Sequence, residues 1–439
     1  MRRRPLFLAV TAALGVTAAV TIAPAAPTVA ADDLAEVQEA HFAVIDQIAG
    51  WDALTPVPRL GQIEGDPVAG TIDIGWVGFV PTEVRAMADA AAEQGIDVRF
   101  VPQESSEQEL LDIAYGIAAS MPSDGAFAIG LGADTLSVEV PTEDVAESIG
   151  SEHIALEGEV LDVIGEAEQA AAELGAAVTV DETETAPVNA ADTQLHAGTA
   201  VDTTQAANLA ASRTNDTSVL SGGMRVQTQW ASGGWVSCTS GFTGTFGHRP
   251  LIVTAAHCSD YADGRAVRNQ AGTRIGTSDL VRELNDGQRP YDLGVIAASY
   301  DARTLPRIYT NNTSTVNITR SQDTWPPSGY RLCSSGQVTG WKCDLTAGAA
   351  YVTCYGTSRG SECMHVQIVR SSGASAFCLG DSGGPVVGLP TSQGAVAVAV
   401  VSGIKTKVTA RCSKEGLIAP ISQLMTAVQG LQLHTLNRP

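Results

Sequence analysis

Gly380-Asp381-Ser382-Gly383-Gly384-Pro385 sets one hydroxyl between small residues. A serine hydroxyl is a poor nucleophile near neutral pH, so covalent chemistry on it requires a positioned base and donors for the oxyanion that develops. Glycines on both sides let the backbone turn tightly and bring the N–H groups of Gly380 and Ser382 toward one point. A base is offered by Thr254-Ala255-Ala256-His257-Cys258, where the apolar run Leu251–Val253 ends in a histidine. Tyr291-Asp292-Leu293-Gly294-Val295-Ile296 places an aspartate at the mouth of a second apolar run, where it can be partly buried and orient an imidazole. Each segment alone is weak, since a Gly-rich turn, a structural histidine and an Asp-Leu pair are all common. Together they supply the parts of an acyl-transfer site.

In the chain order His257, Asp292, Ser382, these segments resemble the chymotrypsin-like serine proteases. The resemblance covers about residues 219–425 and is strongest in Leu251–Cys258 and Cys378–Val387. It is nearest to secreted bacterial members of the alpha-lytic protease and streptogrisin type, which are made with an N-terminal pro-region. The resemblance implies that Ser382 is the nucleophile, His257 the base and Asp292 its orienter, with an oxyanion hole from the Gly380 and Ser382 N–H groups. It implies a catalytic domain of two six-stranded antiparallel β-barrels with a C-terminal helix, acting as a serine endopeptidase. A binding protein with an inactive protease-like module is the alternative, but it requires a lost group and none is lost.

The same resemblance pairs Cys238 with Cys258, Cys378 with Cys412 and Cys333 with Cys343, leaving Cys354 with Cys363. It builds the specificity pocket from Phe377 beside Ala376 and from Val401-Ser402-Gly403-Ile404. None of these is acidic, so a cationic P1 residue would lack a counter-charge and a small or apolar P1 is expected. Asp381 should be buried and need a cation. Ser334 stands where the bacterial relatives carry an arginine, so Arg331, or a new α-amino group near Leu220, is the expected partner.

The elements that must position these groups divide the chain in two. Its 439 residues exceed what one hydrophobic core usually organises, and the net charge of −22 is unevenly spread. Residues 32–216 hold 36 Asp/Glu against 4 Arg, whereas 217–439 hold 12 against 19 Lys/Arg and all 8 cysteines. Arg2-Arg3-Arg4, an Ala-rich apolar run and Val29-Ala30-Ala31 have the form of a signal peptide cleaved after Ala31. Residues 32–182 then read as an acidic α/β pro-domain, with helices from Leu34 to Ile48 and over 82–94, 105–119 and 155–174. Ala126–Gly130 and Thr135–Val140 read as a hairpin. Residues 183–218 show no periodicity and read as a linker, cut between about Ala210 and Leu220. From 219 to 439 short Val/Ile/Thr-rich runs alternate with Gly, Pro and Asn turns, and one helix, from Pro420 with Leu424, Val428 and Leu431 on one face, closes the chain.

The expectation is thus a secreted, extracellular preproenzyme, with its cysteines in four disulfides. Its partners would be protein or peptide substrates and its own pro-domain, acting as folding aid and inhibitor. No nucleic-acid partner is expected, and because the acidity lies in residues 32–216 that expectation rests on the protease-like site rather than on the overall charge. No membrane association after signal removal, no cofactor, no metal and a monomeric state are expected.

Overall fold

A computed structural model describes residues 31–436, apart from 123–124, 150–152, 190–212, 215, 217–218, 231–232, 281–290, 300–301, 358–359, 407–410 and 429. The expected signal peptide, most of the linker and much of the expected maturation region lie outside the described residues. No helix among the described residues is long and apolar enough to cross a membrane.

The N-terminal α/β region opens with the helix Ala31–Asp52, which buries Leu34, Gln38, His41, Phe42, Ile45 and Ile48 on one stripe. Three strands, Leu60–Asp66, Thr71–Val77 and Asp97–Gln103, form a small sheet under the helix Thr82–Ala92. The helix Glu107–Ser120 begins at a capping box in which Glu109 N–H donates to Ser106 Oγ and Ser106 N–H to Glu109 Oε2. With the helix Glu159–Glu173 it packs Leu110, Ile117, Val160 and Ile164 onto Phe127, Ile129 and Val138 of the expected hairpin. That hairpin forms as Phe127–Leu131 and Thr135–Pro141. The first sheet and a short helix, Glu143–Ile149, have no counterpart in the sequence reading.

The C-terminal region is β-rich, with a two-stranded sheet that pairs Phe377–Cys378 with Cys412–Ser413 and two large sheets. One has eight strands, in the order Trp235–Thr239, Arg225–Gln229, Ala266–Asn269, Arg274–Asp279, Gly294–Ala298, Arg249–Thr254, Thr243–Phe246, Leu431–Leu433. The other has thirteen strands, and it does not stop at the border between the regions. Its long hairpin, Gly340–Thr357 with Gly360–Ser371, pairs along one edge with Phe127–Leu131, so that Val352 faces Ile129 and Cys354 faces Phe127. An unpaired hairpin edge offers a row of free N–H and C=O groups, and the N-terminal hairpin satisfies them. Two six-stranded antiparallel β-barrels were expected; four of the thirteen strands, Phe127–Leu131, Thr135–Pro141, Ala177–Thr183 and Ala186–Asn189, come from the N-terminal region.

Three boundaries shift for similar reasons. Ala186–Asn189, expected as linker, is a strand bonded to the far end of Ala395–Thr406. The closing helix is short, Ile421–Ala427, because Gly430 turns the chain at φ +87° and Leu431 enters a strand against Phe246. Arg213 and Asp216, upstream of the expected boundary at 219, are buried against the C-terminal region. The four expected disulfides, Cys238–Cys258, Cys333–Cys343, Cys354–Cys363 and Cys378–Cys412, all form.

Candidate active site

Two neighbouring strands bring the histidine and the aspartate together. Arg249–Thr254 pairs antiparallel with Gly294–Ala298, with Thr254 opposite Gly294, so the residues following one strand and preceding the other share an edge. His257 lies in the 3-10 turn Ala256–Ser259 that follows the first strand. Asp292 precedes the second and sits in the left-handed region at φ +47°, a strained conformation for a non-glycine residue. His257 Nδ1 is 2.9 Å from both carboxylate oxygens of Asp292, and the His257 backbone N–H donates to Oδ1 at 3.1 Å. Ala256 N–H donates to the Asp292 carbonyl at 3.2 Å, fixing the turn from the other side.

Ser382 arrives from the other sheet, on the loop between Phe377–Cys378 and Pro385–Gly388. Its Oγ is 2.7 Å from His257 Nε2, and all three side chains are buried. Gly383 makes the approach possible. At φ +76°, a Cβ added there would sit 2.1 Å from Thr254 Oγ1 and 2.5 Å from the Thr239 carbonyl. The loop is held by Thr239, whose N–H donates to the Ser382 carbonyl at 2.7 Å and whose hydroxyl donates to the Gly380 carbonyl at 2.9 Å. The N–H groups of Cys378, Asp381, Gly383 and Gly384 donate to the Asp381 carboxylate and to the carbonyls of Cys378, Val401 and Asp381. Those of Gly380 and Ser382, the expected oxyanion donors, make no hydrogen bond to another described residue.

Phe377, Val401 and Ile404, expected in the pocket, are fully buried in one cluster with Ala376 and Ile418. Gly403 lies beside them, 2.5 Å from Tyr355 Oη and 2.7 Å from the Val188 carbonyl as measured from an added Cβ. Ser402 does something else. Its hydroxyl donates to Asp292 Oδ2 at 2.5 Å and lies 3.2 Å from Tyr355 Oη, so its side chain braces the aspartate rather than lining the pocket. Tyr355, carried on the long hairpin, was not singled out in the sequence. The ring of Tyr355 is fully buried, and desolvation raises its pKa further above the ordinary phenol value, with the Asp292 charge acting in the same direction. Cys238 and Cys258 crowd His257 within 4.8 Å, but their sulfurs are bonded to each other and offer no thiolate to a metal.

A strand of the N-terminal region ends at this site. Asn189 faces Gly403, Val188 faces Ile404, Pro187 faces Lys405 and Ala186 faces Thr406, in antiparallel register. Val188 packs on the Phe377, Val401 and Ile404 cluster.

Known proteins match the same half of the chain. The trypsin family matches residues 210–428. Among solved structures, protease A of Thermobifida fusca is 24% identical, covering 50% of this chain and 100% of its own, at a TM-score of 0.36. A chymotrypsin of Cellulomonas bogoriensis is 23% identical over 49% of this chain and 99% of its own, at 0.35. The alpha-lytic protease homologue N4 is 21% identical over 49% and 100%, at 0.37. No curated protein matches the chain. By its family match, residues 210–428 belong to the trypsin family, and the protein is a chymotrypsin-like serine protease.

Proposed function

We propose that the protein is a secreted serine endopeptidase, made as a preproenzyme, whose residues 32–182 and the following strand serve as a pro-domain. The observation that carries the reading is the chain of contacts from Ser382 Oγ through His257 to Asp292. Ser382 Oγ attacks the scissile carbonyl carbon and passes its proton to His257 Nε2. Asp292, accepting at Nδ1, holds the imidazole in the tautomer that leaves Nε2 free to accept, and stabilises the imidazolium that forms. The Gly380 and Ser382 N–H groups receive the oxyanion. His257 then donates its proton to the leaving amine. Water, activated by the same histidine, releases the acyl group from Ser382 and closes the cycle.

The edge at Gly403–Thr406 is where a peptide can add as an antiparallel strand, gaining affinity from main-chain bonds and specificity from alternate side chains. Ala186–Asn189 occupies that edge, which supports a role in blocking the cleft before maturation. The buried wall of Phe377, Val401 and Ile404 carries no acid and supports a small or apolar P1 residue. Export follows from the leader-like N-terminus and the four disulfides.

The test is Ser382→Ala, expected to lower kcat on the order of 10⁶-fold and to abolish labelling by a serine-directed phosphonate. An active Ser382→Ala protein would refute the reading. Cleavage of a peptide library by the wild type is expected to favour small or apolar P1, and a dominant Lys, Arg or Glu preference would refute the pocket assignment.

A further inference from the structure

Asp381 stands between the two expected oxyanion donors in the chain and is fully buried. Its carboxylate accepts three backbone N–H groups, from Cys378 at 2.9 Å, Val338 at 2.8 Å and Thr339 at 3.2 Å. These bonds tie the serine loop to the turn at 337–339, and they require an ionised acceptor to be strong. Burial opposes ionisation and raises the Asp381 pKa, against the pull of those same N–H groups.

Neither cation expected from the sequence is in place. Arg331 is exposed and donates to the Cys343 carbonyl at 3.0 Å. Leu220 lies inside the strand Val219–Gly222, which is bonded to Arg303–Tyr309. Arg213 is in place instead. It is 6% exposed, its Nε donates to the Gly223 carbonyl at 2.6 Å, and its Nη2 donates to Ser335 Oγ at 3.1 Å and to the Gly336 carbonyl at 2.5 Å.

Gly336 is the spacer between the two charges. Its carbonyl takes the guanidinium, while a Cβ added to it would sit 2.2 Å from Asp381 Oδ1. The desolvation of Arg213 lowers its pKa, and the Asp381 charge works against that loss. The segment around Arg213 is anchored twice more. Arg213 N–H donates to the Asn312 carbonyl at 3.1 Å, and Asp216 accepts from Tyr309 Oη at 2.5 Å.

We propose that Arg213 is a positioning residue for the oxyanion loop, supplying the positive charge that faces Asp381 across Gly336, and that the maturation bond therefore lies on the N-terminal side of Arg213. A cut downstream of it would remove the cation and leave a buried carboxylate uncompensated. The inference rests on the serine-protease reading, and it narrows the maturation region to residues before 213. The loop geometry affects charge developing in the transition state more than substrate docking, so its loss falls on kcat.

The test uses the full chain, allowed to mature, as wild type, Arg213→Gln and Arg213→Lys. N-terminal sequencing of the mature wild type is expected to begin at or before Arg213. Arg213→Gln is expected to lower kcat by about 10²- to 10³-fold, the scale of a lost oxyanion donor, with KM within a few-fold. Arg213→Lys, which keeps the charge, is expected to recover at least part of that loss. A mature chain that begins after Arg213, or an Arg213→Gln enzyme with wild-type kcat, overturns the proposal. Should Arg213→Gln fail to fold, the wild-type N-terminus and the Arg213→Lys rates still decide it. A wild type that neither hydrolyses peptides nor takes up a phosphonate fails as a protease, a result distinct from any difference between variants, and its N-terminus still shows whether Arg213 is retained.

Discussion

At the scale of single residues, the carboxylate of Asp292 is held by two sets of donors, His257 on one side and Ser402 on the other. A buried carboxylate needs each of its acceptor positions filled, and a hydrogen bond to a charged group contributes about 1.5–3 kcal/mol. Ser402→Ala is therefore expected to lower kcat roughly tenfold with KM little changed, as measured by steady-state hydrolysis of a peptide amide. An unaltered kcat would mean that His257 alone orients Asp292. The segments that carry His257, Asp292 and Ser382 were legible in the sequence because each sets its residue beside a run of small or apolar neighbours. The direction of the Ser402 side chain was not. The strand that carries it slips register between Val401 and Gly403 against Ile418 and Leu417, and such a bulge re-aims a side chain without any local signature.

At the scale of elements, the four-residue strand Ala186–Asn189 is too short to hold itself together and exists through its bonds to Gly403–Thr406. Its apolar anchor is Val188, set on the cluster of Phe377, Val401 and Ile404. A carboxylate at that place would be desolvated without a partner, so Val188→Asp should detach the strand. In the uncut precursor, phosphonate labelling of Ser382 is expected to run at least about tenfold faster in Val188→Asp than in the wild type. Equal rates would mean that the strand does not cover the nucleophile. Four helices of the N-terminal region, Ala31–Asp52, Thr82–Ala92, Glu107–Ser120 and Glu159–Glu173, were legible from their apolar spacing. The strand at 186–189 reads as linker in the sequence because its partner lies more than 200 residues away and four residues are too few to show a period.

At the scale of the whole molecule, the acidic region meets the cationic one through individual pairs. Lys405 bonds Glu139, Arg320 lies 3.1 Å from Asp46, and His365 lies 3.9 Å from Glu107. His41 of the first helix adds a neutral contact, with Nδ1 2.6 Å from Tyr330 Oη, and burial lowers its pKa from 6.5 to about 4 despite the nearby Asp66 charge. A group whose pKa is lowered by association favours the complex above its free value, so this contribution is present above pH 6.5 and lost as pH falls through about 4. The half-buried Glu107 acts oppositely. Desolvation pushes it up to about 7, so its contribution is present below pH 4.5 and lost as pH rises through about 7. The His41 effect is therefore read against His41→Gln in Ser382→Ala protein cut in the linker by an added protease. Between pH 7 and 4.5 the two parts are expected to lose roughly tenfold to a hundredfold more affinity with His41 than with glutamine. Equal pH dependence would remove His41 from the account. The sequence by itself determined the segments that carry Ser382, His257 and Asp292 and the division into an acidic α/β half and a disulfide-bonded β half, because both follow from residue type and local period. Only the tertiary structure decided that one sheet runs through both halves, that a linker segment lies along the pocket strand, and that Arg213 faces Asp381. Each of these depends on backbone pairing or burial between residues far apart in the chain, and no local pattern encodes which partner will arrive.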